Sequence, residues 1–103
     1  MALFMTWGGV DKNVFIEKHD CYFYFEKLGN KLACLTVLNS YVSKVTQEYF
    51  EFDLPEGFRP SKYQQAGNPY LSVELKAAYN EIYVINNCDD NRKETITLLY
   101  ETK

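Results

Sequence analysis

The stretch Phe50-Glu51-Phe52-Asp53-Leu54-Pro55-Glu56-Gly57-Phe58-Arg59-Pro60 narrows the possible folds more than any other part of the chain. Phe50, Phe52 and Leu54 alternate with Glu51 and Asp53. Successive strand side chains point to opposite faces, so the pattern predicts a strand with one buried and one wet face. Pro55 then removes a ladder donor, and Gly57 supplies the positive φ that a type II turn needs. Arg59 precedes Pro60 and is pushed to extended geometry. The chain is expected to run down a strand, turn sharply over Pro55 to Gly57, and leave extended.

Nothing in the 103 residues has a sustained helical period. Val14–Ile16, Cys21–Leu28, Lys31–Leu38, Val45–Leu54, Leu71–Ala77, Glu81–Asn86 and Thr95–Thr102 all read as extended. Turn signals separate them, and Leu3–Trp7 adds a short first strand before Gly8-Gly9. The polar middle Glu17-Lys18-His19-Asp20 is a turn or a bulge. Asn39–Lys44 and Ser61–Pro69 read as loops, Tyr79-Asn80 and Cys88–Asn91 as turns. The whole predicts a single all-β domain over residues 1–103, an antiparallel β-sandwich or jelly-roll-like head. There is no internal repeat, low-complexity segment or linker.

Gly29-Asn30 lies between two β-rich runs and predicts a two-residue hairpin turn. In that register Leu28 faces Lys31, Phe25 faces Cys34, Phe23 faces Thr36 and Cys21 faces Leu38. The other face carries Tyr22, Tyr24, Leu35 and Val37. Both faces are then apolar, which a sheet with one solvated face would not show. A partner subunit over the second face is one way to cover it.

Net charge is -3, and no cluster of Lys or Arg supplies the basic footprint that nucleic acid requires. No apolar run approaches the ~18–20 residues of a membrane span. The first residues lack a basic region and a long apolar core, so no secretion signal is expected. Cys21, Cys34 and Cys88 are odd in number and irregularly spaced, which predicts small reduced hydrophobes and no disulfide framework.

Catalytic constellations are weak. His19 and Cys21 would share a strand face about 6–7 Å apart, beyond the ~3 Å at which a nucleophile and its base meet. Asp89-Asp90-Asn91 has oxygens but no glycine to bend a cation loop, and reads as a turn, so no metal is expected. Glu48, Glu51, Asp53 and Glu56 surround one strand end and read as a solvated face; no enzyme activity and no cofactor are expected. Aromatics make up 17% of residues, including nine tyrosines. Trp7, Tyr41, Tyr49, Tyr63, Tyr70 and Tyr79 fall in loops or on polar faces. An aromatic face stacks on the apolar face of a sugar and a tyrosine adds a hydroxyl, so these six are candidate saccharide contacts.

Phe25-Glu26-Lys27-Leu28-Gly29-Asn30-Lys31-Leu32, followed by Phe52-Asp53-Leu54-Pro55-Glu56-Gly57-Phe58-Arg59-Pro60 and by Leu98-Leu99-Tyr100-Glu101, resembles the C-terminal head-like domains of tail-fibre, baseplate and receptor-binding proteins from phages of Gram-positive bacteria. The likeness runs from Tyr22 to Thr102, with Gly29, Asn30, Pro55, Gly57, Arg59 and Pro60 as structural turn residues. It is to the head alone, with no neck or shoulder before it. It implies a β-sandwich head that recognises a host cell-wall saccharide, often as a homotrimer, in a virion tail assembled from protein made in the host cytoplasm. It places no receptor contact. Two other functions remain open: a virion or prophage-particle assembly module without a ligand, and a glycan hydrolase.

Overall fold

The computed structural model describes residues 13–39, 48–89 and 91–103. Within them the chain forms β1 (Val14–Lys18), β2 (Cys21–Gly29), β3 (Leu32–Asn39), β4 (Glu48–Asp53), β5 (Gln64–Gly67), β6 (Leu71–Lys76), β7 (Glu81–Asn86) and β8 (Thr95–Glu101), with no helix among the described residues. Two four-stranded antiparallel sheets, in the orders β1-β2-β3-β8 and β4-β7-β6-β5, pack as the expected β-sandwich. The expected strand Leu3–Trp7 and residues 45–47 of the fourth strand lie outside the described residues.

The core lies between the sheets. Cys21, Phe23, Phe25, Ala33, Leu35, Val37, Ile96 and Tyr100 from the first face Leu71, Val73, Leu75, Ile82 and Val84 from the second, all buried. Phe23 meets Phe52 edge-on at 5.0 Å between ring centroids, and Phe50 at 6.1 Å. Such tilted rings add about 0.5–1.5 kcal/mol beyond their burial. The alternation in β4 therefore works as expected: Phe50 and Phe52 pack on the core while Tyr49, Glu51 and Asp53 are exposed.

The β2–β3 hairpin differs from expectation. The turn is at Asn30-Lys31, not Gly29-Asn30, because Leu28 is an extra residue that bulges out between Lys27 and Gly29. Neither Gly29 nor Asn30 takes a positive φ. The bulge moves the register by one, so Phe25 faces Leu35 and Phe23 faces Val37. A one-residue slip exchanges the faces of a strand. Leu35 and Val37 thus join the core, while Cys34, Thr36 and Leu38 turn outward beside Tyr22 and Tyr24.

The polar middle after β1 is a turn. His19 (φ 49°) and Asp20 (φ 63°) both sit in the left-handed region, and Lys18 pairs with Cys21. Two positive φ values match the twist of the flanking strands in a two-residue hairpin. The expected loop Ser61–Pro69 instead contains β5, a short edge strand paired to β6 through Gln64–Leu75 and Gly67–Ser72.

The corner after β4 folds as predicted. Phe58 N donates to Pro55 O at 3.0 Å, with Gly57 at φ 93° in the third turn position. Arg59 Nε donates to Leu54 O at 3.3 Å, and Pro60 bridges to Thr102. The buried Tyr100 hydroxyl donates to Phe58 O at 2.7 Å, and Lys27 Nζ donates to Gly57 O. The corner thus joins the two sheets through their chain ends. All three cysteines are free; Cys21 and Cys88 are buried, and Cys34 is half-buried on the outer face.

Candidate functional site: the outer face of the β4-β7-β6-β5 sheet

The outward residues of this sheet follow from the register. Glu51 lies opposite Tyr83, and Tyr83 opposite Glu74. Tyr49 lies opposite Ile85, one diagonal step from Tyr83, and Lys76 is opposite Glu81. Diagonal neighbours on one sheet face are within reach of long and aromatic side chains. The rings of Tyr49 and Tyr83 are within 3° of parallel, with 6.4 Å between centroids. Lys76 Nζ sits 4.9 Å from the centre of the Tyr83 ring, a cation–π distance.

Lys76 also lines a mostly apolar depression of about 460 Å³ together with Tyr63, Ala77, Ala78 and Tyr79. Tyr79 follows Lys76 in the β6–β7 turn, where Asn80 takes φ 55° and Tyr79 N donates to Lys76 O at 3.2 Å. Partial burial and the Glu74 carboxylate, which accepts its hydrogen bond, raise the pKa of the Tyr63 phenol. Tyr49 (57% exposed), Tyr63 (53%) and Tyr79 (70%) are among the most exposed large side chains of the described structure. Rings that remain this open, on strands whose other face fills the core, form a rigid platform with a groove at one end.

Three of the six candidate sugar contacts, Tyr49, Tyr63 and Tyr79, therefore belong to one face. Tyr70 is engaged otherwise. It lies at the opposite end of β6, where the Arg92 guanidinium covers its ring at 4.3 Å and its carbonyl accepts from Asn87 N and Cys88 Sγ. Trp7 and Tyr41 lie outside the described residues. Tyr83 and Lys76 were not expected. Tyr83 is hidden in the apolar run Ile82-Tyr83-Val84-Ile85, where no polar neighbour marks it as outward; the structure places it between buried Ile82 and Val84.

The remaining candidates are placed elsewhere. His19 Nδ1 lies 3.3 Å from Glu48 Oε2, and the imidazole packs on Phe50 at 4.4 Å, so His19 ties the β1–β2 turn to β4. Glu48 and Glu51 fall on opposite faces of β4. Asp89 Oδ1 accepts from Asn91 N at 2.8 Å and Arg92 N at 2.9 Å, closing a turn; Asp90 is outside the described residues. Around the corner, a hollow of about 240 Å³ is lined by Glu56, Gly57, Arg59, Asn80 and Lys103. The Lys103 ammonium there donates to Ala77 O and Asn80 Oδ1. No protein-family model matches the chain, and no curated protein or solved structure is significantly similar to it.

Proposed function

We propose that the protein is a saccharide-binding module, of the kind that forms the receptor-binding head of a phage tail or baseplate, and that it binds a host cell-wall glycan without cleaving it. The observation that carries this reading is the parallel pair Tyr49 and Tyr83, continued by Lys76 into the groove of Tyr63 and Tyr79. Aromatic faces fixed on a sheet stack on sugar rings at little cost in side-chain entropy, and the carboxylates around them accept hydroxyl hydrogen bonds. Binding rather than hydrolysis is favoured by the carboxylates, because Glu48 faces His19 while Glu51 faces outward, so the two do not oppose each other across a cleft.

The test is a glycan array and a pull-down with Gram-positive envelopes. Retention of the wild-type protein, and its loss in a Tyr49→Ala/Tyr83→Ala double variant that still folds, supports the reading. No retention on any envelope or glycan overturns it. Release of reducing sugar, abolished by Glu51→Gln, would favour a hydrolase instead.

A second reading concerns assembly. The outer face of the other sheet carries Phe15 (60% exposed), Tyr22, Tyr24, Leu38 and Leu99 (57%), with Phe15 and Tyr22 5.4 Å apart. An apolar face of this breadth suits self-association or contact with another virion protein. Covering it with copies of the same chain in a homotrimer leaves the tyrosine face of the second sheet open to ligand.

A further inference from the structure

The charge of the tyrosine face limits which saccharide it takes. The strands present Glu51 and Asp53 from β4, Glu81 from β7 and Glu74 from β6 on this side. Lys76 is the one cation those strands contribute; its ammonium is already seated over Tyr83, and in the register Lys76 lies opposite Glu81 and Tyr83 opposite Glu74. Glu51 lies directly across from Tyr83 and two residues along the same face from Tyr49. The half of the aromatic pair left open is thus Tyr49, next to a carboxylate.

We propose that this face recognises saccharides bearing free amines, of the polyglucosamine type. The inference rests on the saccharide-binding reading above and names the class of sugar. A sugar ring stacked on Tyr49 can place its C2 ammonium at the edge of an electron-rich aromatic face, within reach of the Glu51 carboxylate. Its aromatic half repeats the seat of the Lys76 ammonium over the Tyr83 ring. An ammonium gains from both partners, through cation–π attraction and a charge-assisted hydrogen bond. An anionic sugar meets four carboxylates, and like charges juxtaposed in an interface are strongly unfavourable. An N-acetylated sugar stacks as well but leaves the carboxylate without its cation.

Calorimetric titration of the whole chain with three oligomers of equal length tests this: glucosamine, N-acetylglucosamine and a uronic acid, at a pH where the sugar amines are charged. The glucosamine oligomer is expected to bind at least about tenfold tighter than the acetylated one, the low end of what a hydrogen bond to a charged group contributes. The uronic acid oligomer is expected not to bind. Glu51→Gln should remove most of the amine preference, whereas Glu56→Gln, off the face in the corner turn, should keep it. Raising the salt should weaken the glucosamine oligomer more than the acetylated one. Equal or tighter binding of the acetylated oligomer, or binding of the uronic acid oligomer, overturns the amine preference and leaves the saccharide reading standing. Failure of all three to bind also overturns the amine preference, and the glycan array and envelope pull-down then decide the saccharide reading separately.

Discussion

Replacing Gly67 by alanine should cost far more stability than the same change at Gly57, although both glycines have positive φ. Gly57 has φ 93° and open space around the position of an added Cβ. The cost there is conformational, about 1–2 kcal/mol for an L-residue in the left-handed region, reduced by up to about 1 kcal/mol through the stiffer unfolded chain. Gly67 has φ 115°, and a Cβ built on it would lie 2.6 Å from Ser72 Cα and 2.9 Å from Ile96 Cδ1, and nearer still to Leu71 O. That carbonyl accepts from Asn68 N at 2.9 Å and helps close the β5–β6 turn. Two of the three obstructing atoms are backbone, so relief requires β5 to move off β6. Overpacking adds about 1–3 kcal/mol to the conformational cost of about 1–2 kcal/mol, giving ~2–5 kcal/mol in all.

For a domain of this size each kcal/mol moves Tm by about 4–8 °C. Gly57→Ala should then lose about 5 °C and Gly67→Ala at least ~10 °C, read by circular dichroism and checked by the urea midpoint at constant slope. Equal losses at the two positions would refute the reasoning, because they would show that β5 does not lie this close to Leu71 and Ser72.

Other consequences can be measured. Tyr100→Phe removes a buried hydrogen bond and leaves Phe58 O without its donor, which should cost about 1–3 kcal/mol in urea unfolding; an unchanged midpoint would mean that water replaces the hydroxyl. Burial first, and then nearby Cys88 and carboxylates, push the Cys21 thiol from its usual 9.0 up to about 12, and burial pushes the Tyr100 phenol up as well. Both groups hold their protons more firmly folded than unfolded, so their contribution is complete below about pH 9 and is lost as the pH rises toward 12. Alkaline titration should show falling stability above pH 9, less steep in Cys21→Ala; a flat profile would contradict the burial of these groups. Light scattering at micromolar concentration should give a mass near three times 12.1 kDa, reduced by Leu99→Glu or Tyr24→Glu. A wild-type mass near 12 kDa would refute the trimer.

How much of this was legible in the chain depended on contrast between alternating residues. In β4, Phe and acidic residues alternate, and the strand, its faces and the corner after it follow directly. In β3 the run Leu32-Ala33-Cys34-Leu35-Thr36-Val37-Leu38 is apolar in both phases, so the period names no inner face. The choice then rested on the turn, and the bulge at Leu28 moved it. β5 has no apolar period in Gln64-Gln65-Ala66-Gly67 and exists because β6 supplies a partner edge. The tyrosine face was half legible for the same reason. Tyr49, Tyr63 and Tyr79 stand out against polar neighbours, while Tyr83 is masked by Ile82, Val84 and Ile85. That Tyr49 and Tyr83 meet is a product of the β4–β7 register, which no local pattern encodes.

The central claim is that sugars bind on the outer face of β4-β7-β6-β5. Two-dimensional NMR of the labelled chain, titrated with glucosamine and N-acetylglucosamine oligomers, tests it most directly. The account predicts saturable shift changes at Tyr49, Glu51, Lys76 and Tyr83, extending to Tyr63 and Tyr79, with Phe15, Tyr24 and Leu99 unmoved. Shifts confined to the outer face of β1-β2-β3-β8, or to the corner around Arg59 and Lys103, would contradict it.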